Sequence, residues 1–170
     1  HSSDTNAGGW KGCDLRYDIL GSTKTKGANA VSTTATSPVA NTLMAALPAD
    51  LRAVMRPMSI YTDNTGNGSN DASSVTWTID YLPLLAEYEI FGARSYANSA
   101  EKNYQAQYAY YSAGNSKVKY RHSATNSAAW WWERSPYYNS TTFFCSVNTN
   151  GYRVQKLTGY SEGIAPIFRV

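Results

Sequence analysis

The sequence has few of the residues that most often build catalytic and metal sites. Its cysteines are Cys13 and Cys145, and its histidines are His1 and His122. No Cys-x-x-Cys pair and no pair of histidines at metal-binding spacing occurs, so we expect no metal site. The two cysteines are interpreted as small, partly buried apolar side chains, and a disulfide between them is the alternative.

Nucleotide-binding motifs are absent as well. The sequence contains neither a Walker-type phosphate loop nor the Gly-x-Gly-x-x-Gly pattern. Glu87 and Glu89 lie two residues apart on a predicted helix, where they would not share a face. The chain has 12 acidic residues, and no pair of them is marked as converging in the way that a glycosidase requires. We therefore expect a protein that is not an enzyme and has no cofactor.

Charge and hydropathy exclude two further kinds of partner. The net charge is +3, and the basic residues are scattered, with small groups at Lys24, Lys26 and Lys117–Arg121. A nucleic-acid-binding face carries a denser basic stripe, so we expect no nucleic acid. No apolar run approaches the ~18 residues of a transmembrane helix, so we expect no insertion into a membrane.

Length and composition predict one globular domain at residues 1–170. Domains commonly have ~100–150 residues, and 42% hydrophobic with 16% charged residues is typical of a packed core. The opening HSSDTNAGG lacks the basic and apolar regions of a signal peptide. Because the chain begins at His1 and not at Met, we expect it to be the carboxy-terminal part of a longer protein.

Short helices are predicted in the first two thirds of the chain. Glycine is expected to end the first at Gly21 and the last, which opens at Pro83, at Gly92. Ser37-Pro38 is typical of a helix start, and Pro57 ends the middle helical segment. The residues expected to face the core are Trp10, Leu15, Ile19, Leu20, Val39, Leu43, Leu47, Leu51, Val54, Met55, Leu84, Leu85, Tyr88 and Phe91.

Strands gather towards the end of the chain and predict an α+β class, with short helices packed on a mostly antiparallel sheet. Val75, Trp77 and Ile79 are expected to form the buried face of one strand. Trp131 is expected to point away from its two tryptophan neighbours, and Glu133 to pair with Arg134. The predicted strands are Met58–Thr62, Val75–Asp80, Lys117–His122, the segment from Trp130, Phe143–Val147, Tyr152–Leu157 and Ile164–Val170.

Polar segments at residues 22–37, 63–74 and 94–103 are predicted loops. Asp63–Asp71 resembles a calcium loop, but Ser74 occupies the position where a bidentate glutamate is needed, and calcium binding there stays open. Four tyrosines, ended by Gly114, are ambiguous between helix and strand. They either cover the sheet or reach a binding face, and they are Tyr104, Tyr108, Tyr110 and Tyr111.

Three parts of the chain resemble one protein family. The segments are GGWKGCDLR at residues 8–16, EYEIFG at 87–92, and the ending WWWERSP, FFCSVNTNG and GIAPIFRV at 130–136, 143–151 and 163–170. In these segments the chain resembles DUF6273-type domains, which have a C-type lectin-like fold close to the formylglycine-generating-enzyme branch. The resemblance implies an α+β domain of C-type lectin-like fold whose carboxy-terminal hairpin region displays exposed side chains.

The resemblance also implies a function and a location. Such domains occur in phage and prophage proteins and in bacterial surface proteins, and several are diversified by retroelements that enrich Tyr, Asn, Ser and Thr. It therefore implies a receptor-binding display domain on a virion tail or cell surface, binding a host-surface protein or glycan, with trimeric or other multivalent display. The EPN and QPD motifs of calcium-dependent lectins are absent, so lectin activity is not implied.

The candidate binding surface lies on either side of the Asn150-Gly151 turn, which is the strongest hairpin signal because both residues tolerate positive φ. Tyrosines give rigid contact area and Asn, Ser and Thr give adaptable hydrogen bonds. Two alternatives stay open: a carbohydrate-binding module, and a structural tail or surface subunit whose hairpin binds nothing. The predicted ligand-binding residues are Tyr137, Tyr138, Asn139, Ser140, Thr141, Thr142, Asn148, Asn150, Tyr152, Arg153, Gln155 and Tyr160.

Overall fold

The computed structural model of the protein describes residues 4–30 and 35–170. Positions 31–34 of the predicted loop at residues 22–37 lie outside the described residues. The helical elements are a π-helical turn at Leu15–Ile19, 3-10 turns at Ala72–Ser74 and Ser99–Asn103, and the helices α1 (Leu43–Ala46), α2 (Ala49–Val54), α3 (Glu87–Phe91) and α4 (Ala109–Ser112). The strands are β1 (Met58–Asp63), β2 (Val75–Asp80), β3 (Lys119–Arg121), β4 (Ala124–Ala129), β5 (Trp131–Pro136), β6 (Phe143–Val147) and β7 (Arg153–Leu157).

The predicted α+β class is confirmed, but the described strands form three small sheets and not one. β1 pairs with β2, β3 pairs with β4, and β5, β6 and β7 form a three-stranded meander. All of these pairings are antiparallel. The predicted binding residues lie in strand β7 of the meander, in its two connecting loops and just after it, so the meander is the scaffold of the candidate site.

Two helices begin later than the sequence predicts. Thr42, and not Ser37-Pro38, caps α1 by accepting a hydrogen bond from the N–H group of Ala45 (3.4 Å). The chain from Pro83 to Ala86 has no regular structure, and α3 begins only at Glu87. Gly92 ends α3 in the left-handed conformation (φ 67°), as predicted. Proline is tolerated at the first position of a helix but does not require a helix to begin there, so Pro38 and Pro83 did not determine where α1 and α3 start.

Some predictions of burial are wrong. Ile19 and Val54 are exposed, because helical elements of five or six residues present too short a stripe to bury every apolar side chain. Ser22 and Thr23 are buried, although they lie in a segment predicted as a surface loop. Ser22 Oγ donates a hydrogen bond to the carbonyl oxygen of Leu82 (2.9 Å), which offsets the cost of burying its hydroxyl.

Strand β2 is confirmed and Val75 is buried as predicted, but neither face is buried throughout, because Thr76 and Trp77 are both exposed. Thr78 and Asp80 are inaccessible, whereas Trp77 is exposed. The Asp80 carboxylate accepts hydrogen bonds from Arg16 Nε (2.7 Å) and Trp10 Nε1 (3.0 Å). It also accepts one from the hydroxyl of Thr78 (2.9 Å). Charge-assisted hydrogen bonds offset the desolvation of a buried carboxylate, so Asp80 can be buried although it is charged.

The tryptophans of β5 belong to two core clusters. Trp131 and Trp132 are both buried and lie on opposite faces of the strand, as predicted from strand alternation. Trp132 packs in a cluster with Trp10 and Phe144. Trp131 packs in a second cluster with Val147. The meander is therefore covered on both faces, and its strand β6 is buried almost throughout.

Arg134 pairs with Glu89 and not with Glu133, so the predicted pairing of neighbours is wrong. The Arg134 guanidinium donates to both carboxylate oxygens of Glu89, at 2.6 and 2.7 Å, and to the carbonyl oxygen of Leu84 (2.8 Å). Adjacent residues of a strand point to opposite faces, which separates Glu133 from Arg134. Glu133 is buried, and neither of its carboxyl oxygens has a hydrogen-bond partner.

The last segment is not the strand predicted at Ile164–Val170. It forms a single antiparallel bridge, between Arg169 and Arg56, and no ladder. Pro166 has no N–H group to donate to a neighbouring strand. Val170 is exposed, so only the start of this segment belongs to the frame of the domain.

The four clustered tyrosines divide between core and surface. Tyr111, in α4, is buried, whereas Tyr104, Tyr108 and Tyr110 are exposed. The ring of Tyr104 stacks on that of Tyr61 at 4.4 Å between centroids. Helix α4 therefore resolves the ambiguity of this segment, and one of its rings joins the core.

Cys13 and Cys145 are both buried and free, so their interpretation as buried side chains is confirmed and the disulfide alternative is wrong. Among the helices in the described ranges, none is long and apolar enough to span a bilayer.

Candidate ligand-binding surface

The meander places the predicted binding residues at two opposite ends. Residues 137–142 join β5 to β6, and residues 148–152 join β6 to β7. Strand β6 has five residues, so at ~3.3 Å per residue the two loops lie ~17 Å apart. The chain after β7 returns to the first end, because the N–H group of Thr158 donates to the carbonyl oxygen of Thr142 (3.0 Å). Tyr160 therefore lies near the 137–142 loop and away from the hairpin tip.

Backbone hydrogen bonds hold the 137–142 loop in place. The N–H group of Ser140 donates to the carbonyl oxygen of Tyr137 (3.3 Å) and closes a turn. The buried side chain of Asn6 donates a hydrogen bond to the carbonyl oxygen of Ser140 (2.7 Å). The backbone N–H group of Asn6 donates another to the carbonyl oxygen of Thr141 (2.7 Å). Asn139 and Thr141 are exposed on this fixed loop. The loop can therefore present side chains without first being ordered by a ligand.

Tyrosine rings and an arginine pack together beside this loop. The ring of Tyr137 meets Tyr96 and Tyr138 edge to face, at 5.4 and 5.5 Å between centroids. The guanidinium of Arg94 lies 4.8 Å from the centre of the Tyr138 ring. All four side chains are half-buried. Edge-to-face rings and a cation over a ring are favourable geometries, so the group is pre-arranged.

Arg153 links β7 to the chain that follows α3. Its guanidinium lies 4.5 Å from the centre of the Phe91 ring. It donates to Ser95 Oγ (3.0 Å) and lies 3.9 Å from the Glu87 carboxylate. Gln155, two residues further along β7, is half-buried and pairs in register with Cys145.

The segment 93–98, which carries Arg94 and Tyr96, is held by the buried carboxylate of Glu87. That carboxylate accepts hydrogen bonds from the N–H groups of residues 95, 96 and 97, at 2.8, 2.9 and 2.7 Å. The side chain of Arg153 contacts one end of the segment, and Tyr138 donates its N–H group to the carbonyl oxygen of Tyr96 (2.9 Å). The tyrosine–arginine surface is the group formed by Arg94, Tyr96, Tyr137, Tyr138 and Arg153.

The hairpin tip at residues 148–152 is confirmed, with a wider turn than a two-residue Asn-Gly turn. Only Gly151 has a positive φ (80°) within the tip. The side-chain oxygen of Asn148 accepts hydrogen bonds from the N–H groups of Asn150 (2.9 Å) and Tyr152 (3.0 Å). Tyr152 is 67% exposed. Asn148 therefore supports the turn, and the exposed side chains of Asn150 and Tyr152 are available for contact.

A Gly-x-Ser-x-Gly pattern occurs at Gly159–Gly163, and sequence reasoning missed it. Such a pattern marks a nucleophile when it forms a sharp turn between a strand and a helix. Here no helix follows, because the chain after residue 163 has no regular structure. Ser161 and His122 border one cavity of about 540 Å³ and are exposed. No hydrogen bond joins these two described side chains, so the arrangement lacks the contact of a nucleophile with its base.

The first carboxylate of the predicted calcium loop, that of Asp63, accepts hydrogen bonds from groups of the protein itself. The buried Asp63 carboxylate accepts hydrogen bonds from the N–H groups of Thr65 (2.9 Å) and Gly66 (2.7 Å) and from Asn98 Nδ2 (2.9 Å). Burial raises the pKa of Asp63, and these donors lower it in part. Within residues 4–30 and 35–170, no group of three or more His, Cys, Asp and Glu side chains could hold a metal ion.

Sequence reasoning missed three residues that shape the candidate surface. Arg94 and Tyr96 lie in a segment predicted only as a polar loop, and Asn6 lies near the chain start. Asn6 acts on residues more than 130 positions away. No periodicity or spacing in the sequence announces such contacts, so only the folded chain reveals them.

A protein-family model described as "Domain of unknown function (DUF6273)" matches residues 1–170. No curated protein and no solved structure matches the chain.

Proposed function

The chain belongs to the DUF6273 family, and from this premise we propose that it is a receptor-binding display domain. It binds a host-surface protein or glycan non-covalently, at the end of a phage tail fibre or a bacterial surface protein. The tyrosine–arginine surface makes the central contact, and the hairpin tip at residues 148–152 makes a second one. The mechanism is binding alone, with no catalytic step.

The observation that carries this proposal is a group of half-buried tyrosines on a fixed backbone. Tyr137 and Tyr138 pack edge to face and are held by the loop contacts of Asn6. Side chains that are ordered before binding lose less conformational entropy when a partner arrives. Tyrosine and arginine are also the residues that most often carry the energy of a protein interface.

The separation of the two contact regions favours a macromolecular partner. The 137–142 loop and the hairpin tip lie ~17 Å apart along β6. A protein interface of ordinary size covers ~800 Å² on each partner, which is wide enough to include both regions. A single sugar ring would reach one of them. A glycan is the second candidate, and the exposed side chains of Asn150 and Tyr152 at the hairpin tip favour it.

We further propose that the domain has a C-type lectin-like fold and that retroelement mutagenesis varies its loops. Short helices with several small antiparallel sheets support the fold proposal. Loops rich in Tyr, Asn, Ser and Thr on a fixed backbone support the second proposal. Trimeric display would raise a modest single-site affinity by avidity. A reverse transcriptase gene and a template repeat matching the codons of residues 130–170 in the neighbouring DNA would test the proposed diversification.

A triple variant tests the binding proposal. Tyr137→Ala, Tyr138→Ala and Tyr152→Ala remove both contact regions, and we expect binding of the fluorescently labelled protein to host cells to be lost. Each hot-spot tyrosine should contribute about 30-fold or more in affinity. Flow cytometry measures cell binding, and thermal unfolding verifies that the variant is folded.

Three other exposed tyrosines provide a matched control. Replacing Tyr108, Tyr110 and Tyr120 with alanine removes three exposed aromatic rings outside both contact regions, and this variant should bind as the original protein does. Normal binding by the first triple variant, or equal loss in both, would overturn the proposal. Treating the cells with protease or with glycosidases then distinguishes a protein receptor from a glycan.

A further inference from the structure

A second group of accessible aromatic rings lies on the outer face of the β1–β2 sheet. Thr78 of β2 is buried, so strand alternation turns its neighbours Trp77 and Ile79 outwards. In the antiparallel register Tyr61 lies opposite Trp77, and Ser59 lies opposite Ile79. The Trp77 side chain is 40% exposed. Exposed aromatic side chains that are grouped on one face are typical of a binding site.

A third ring joins this face from the chain that follows the 3-10 turn at Ser99–Asn103. The ring of Tyr104 stacks on that of Tyr61, with 4.4 Å between centroids and 8° between planes. Tyr104 is 55% exposed, so its ring is open to solvent on the side turned away from Tyr61. We call Trp77, Tyr61 and Tyr104 the aromatic platform.

Buried side chains hold the aromatic platform in place. Gln105 Nε2 donates hydrogen bonds to the carbonyl oxygen of Tyr61 (2.9 Å) and to Glu101 Oε2 (3.1 Å). The N–H group of Tyr104 donates to the carbonyl oxygen of Glu101 (3.0 Å). Gln105 and Glu101 are both buried. Rings that are positioned before a ligand arrives lose less conformational entropy on binding.

The outer edge of β2 is covered by an earlier part of the chain. The N–H group of Ile79 donates to the carbonyl oxygen of Asn29 (2.7 Å), and Asn29 Nδ2 donates to the carbonyl oxygen of Trp77 (3.4 Å). An extended peptide therefore cannot pair with β2 at these groups. A ligand of this sheet must contact the side chains of its outer face, where the amide of Asn29 lies beside Trp77.

The outer face is uncharged and small. Ser59 and Tyr61 carry hydroxyl groups, Trp77 carries an indole N–H group and Ile79 is apolar. Three residues of two neighbouring strands span ~10 Å in each direction. Even with the ring of Tyr104 added, this face is much smaller than the ~800 Å² that each partner contributes to an ordinary protein interface. Its size and neutrality instead suit a short stretch of an uncharged glycan.

We propose that the aromatic platform binds a neutral glycan chain. The C–H groups on one face of a pyranose ring are apolar, and they pack on the electron-rich face of an aromatic ring. Trp77 and Tyr104 provide these ring faces, and the hydroxyl and amide groups of Ser59 and Asn29 bind sugar hydroxyls. This inference goes beyond the proposed receptor binding, because the platform shares no residue with the tyrosine–arginine surface or the hairpin tip.

Three neutral β-linked oligosaccharides test the proposal: cellohexaose, mannohexaose and laminarihexaose. Each is titrated into isotope-labelled protein and followed by NMR, with the indole N–H signal of Trp77 as the reporter. We expect saturable shifts at Trp77, Tyr61 and Tyr104 with at least one of the three sugars. Absence of saturable shifts with all three, or shifts confined to residues outside the platform, would overturn the proposal.

Single substitutions locate the interaction. Trp77→Ala removes one stacking ring and should weaken sugar binding about tenfold or more, and Tyr104→Ala should weaken it by a smaller factor. Tyr104→Phe keeps the ring and should bind as the original protein does. Tyr110→Ala is the matched control, because Tyr110 is also 55% exposed but lies outside the platform, and it should change nothing.

The variants also decide against the proposal. Unchanged affinity in both Trp77→Ala and Tyr104→Ala would overturn it, and if Trp77→Ala loses the dispersed spectrum of the folded protein, Tyr104→Ala still decides. The variant that lacks Tyr137, Tyr138 and Tyr152 should keep its sugar affinity, whatever its binding to host cells. Equal loss of sugar affinity in that variant would place the glycan on the receptor surface instead.

A protein partner is the other possible occupant of the platform. If none of the three sugars causes shifts while Trp77→Ala weakens binding to glycosidase-treated host cells, the platform contacts a protein and the glycan proposal is wrong.

Discussion

Replacing Glu133 with glutamine should stabilise the protein, and increasingly so as the pH rises. Glu133 is 2% exposed, and neither of its carboxyl oxygens has a hydrogen-bond partner. Burial raises the pKa of Glu133 well above 4.5, and the negative charges of Glu87 and Glu101 raise it further. The carboxyl group is therefore neutral in the folded protein at pH values where it is ionised in the unfolded chain.

The linkage between protonation and folding sets the size of the effect. Because the folded pKa of Glu133 is raised, its contribution to stability is complete below pH 4.5 and is lost as the pH rises towards the folded pKa. Each pH unit in that window lowers the free energy of unfolding by about 1.4 kcal/mol.

Urea unfolding of the two proteins measures this difference. Glutamine has nearly the shape of glutamic acid and stays neutral, so Glu133→Gln removes the pH-dependent cost and keeps the packing. The free energy of unfolding of the variant minus that of the original protein should grow by about 1.4 kcal/mol per pH unit as the pH rises from 4.5 towards the folded pKa of Glu133.

A difference that does not change with pH would refute this reasoning. It would mean that Glu133 is ionised in the folded protein, with Arg153 or Arg134 as its counter-ion. Glu101→Gln provides the contrast, because the Glu101 carboxyl accepts hydrogen bonds from Ser135 Oγ (2.6 Å) and from other donors. Burial raises the pKa of Glu101 to about 7. In the variant, however, the NH2 group of glutamine would face groups that are themselves hydrogen-bond donors, so Glu101→Gln should be less stable than the original protein.

Two further substitutions test the buried contacts that position the candidate surface. Arg134→Met leaves the Glu89 carboxylate buried without its counter-ion and should lower the free energy of unfolding by about 3–5 kcal/mol. Urea unfolding measures this loss. If the double variant with Glu89→Leu regains stability, the unpaired charge is the cause. Asn6→Ala removes the side-chain hydrogen bonds to the carbonyl oxygens of Ser140 and Phe143 and keeps the backbone hydrogen bond to Thr141. It should lower the free energy of unfolding by about 1–3 kcal/mol and weaken host-cell binding; unchanged stability together with unchanged binding would contradict this role.

Local patterns in the sequence predicted strand β6 and the hairpin that follows it well. Phe143–Val147 and Asn150-Gly151 carry their information within a few residues: a run of β-forming residues, then a residue that accepts positive φ. The structure places β6 and the hairpin at these positions. The opposite faces of Trp131 and Trp132 follow from the same two-residue alternation.

Burial of charged residues could not be predicted in this way. Glu133 and Arg134 are neighbours in sequence, yet the partner of Arg134 is Glu89, 45 positions earlier. Asp80 is buried at the end of β2, and its partner Arg16 lies 64 positions earlier. Two-residue alternation assigns apolar residues to the inner face of a strand. This rule fails where a partner distant in sequence lowers the free-energy cost of burying a carboxylate below that of burying an indole ring.

The candidate site was predicted in composition but not in arrangement. Tyr137 and Tyr152 both belong to polar, aromatic loops, and sequence distance alone suggests one continuous surface. The register of the meander places them at opposite ends of β6. The neighbours of Tyr137 and Tyr138 are instead Tyr96 and Arg94, which belong to a separate segment of the chain.

The buried carboxylates explain how loops without regular structure can be rigid enough to present a binding surface. Glu87 accepts hydrogen bonds from three consecutive N–H groups of the 93–98 segment, and Glu89 accepts one from Ala86. Glu101 accepts one from the N–H group of Asp63. Backbone N–H groups that have no partner within a helix or sheet must be paired when they are buried, and here side-chain carboxylates accept their hydrogen bonds. Because this support comes from the interior, exposed side chains on the loops can change without loss of the backbone conformation, which is what a display domain requires.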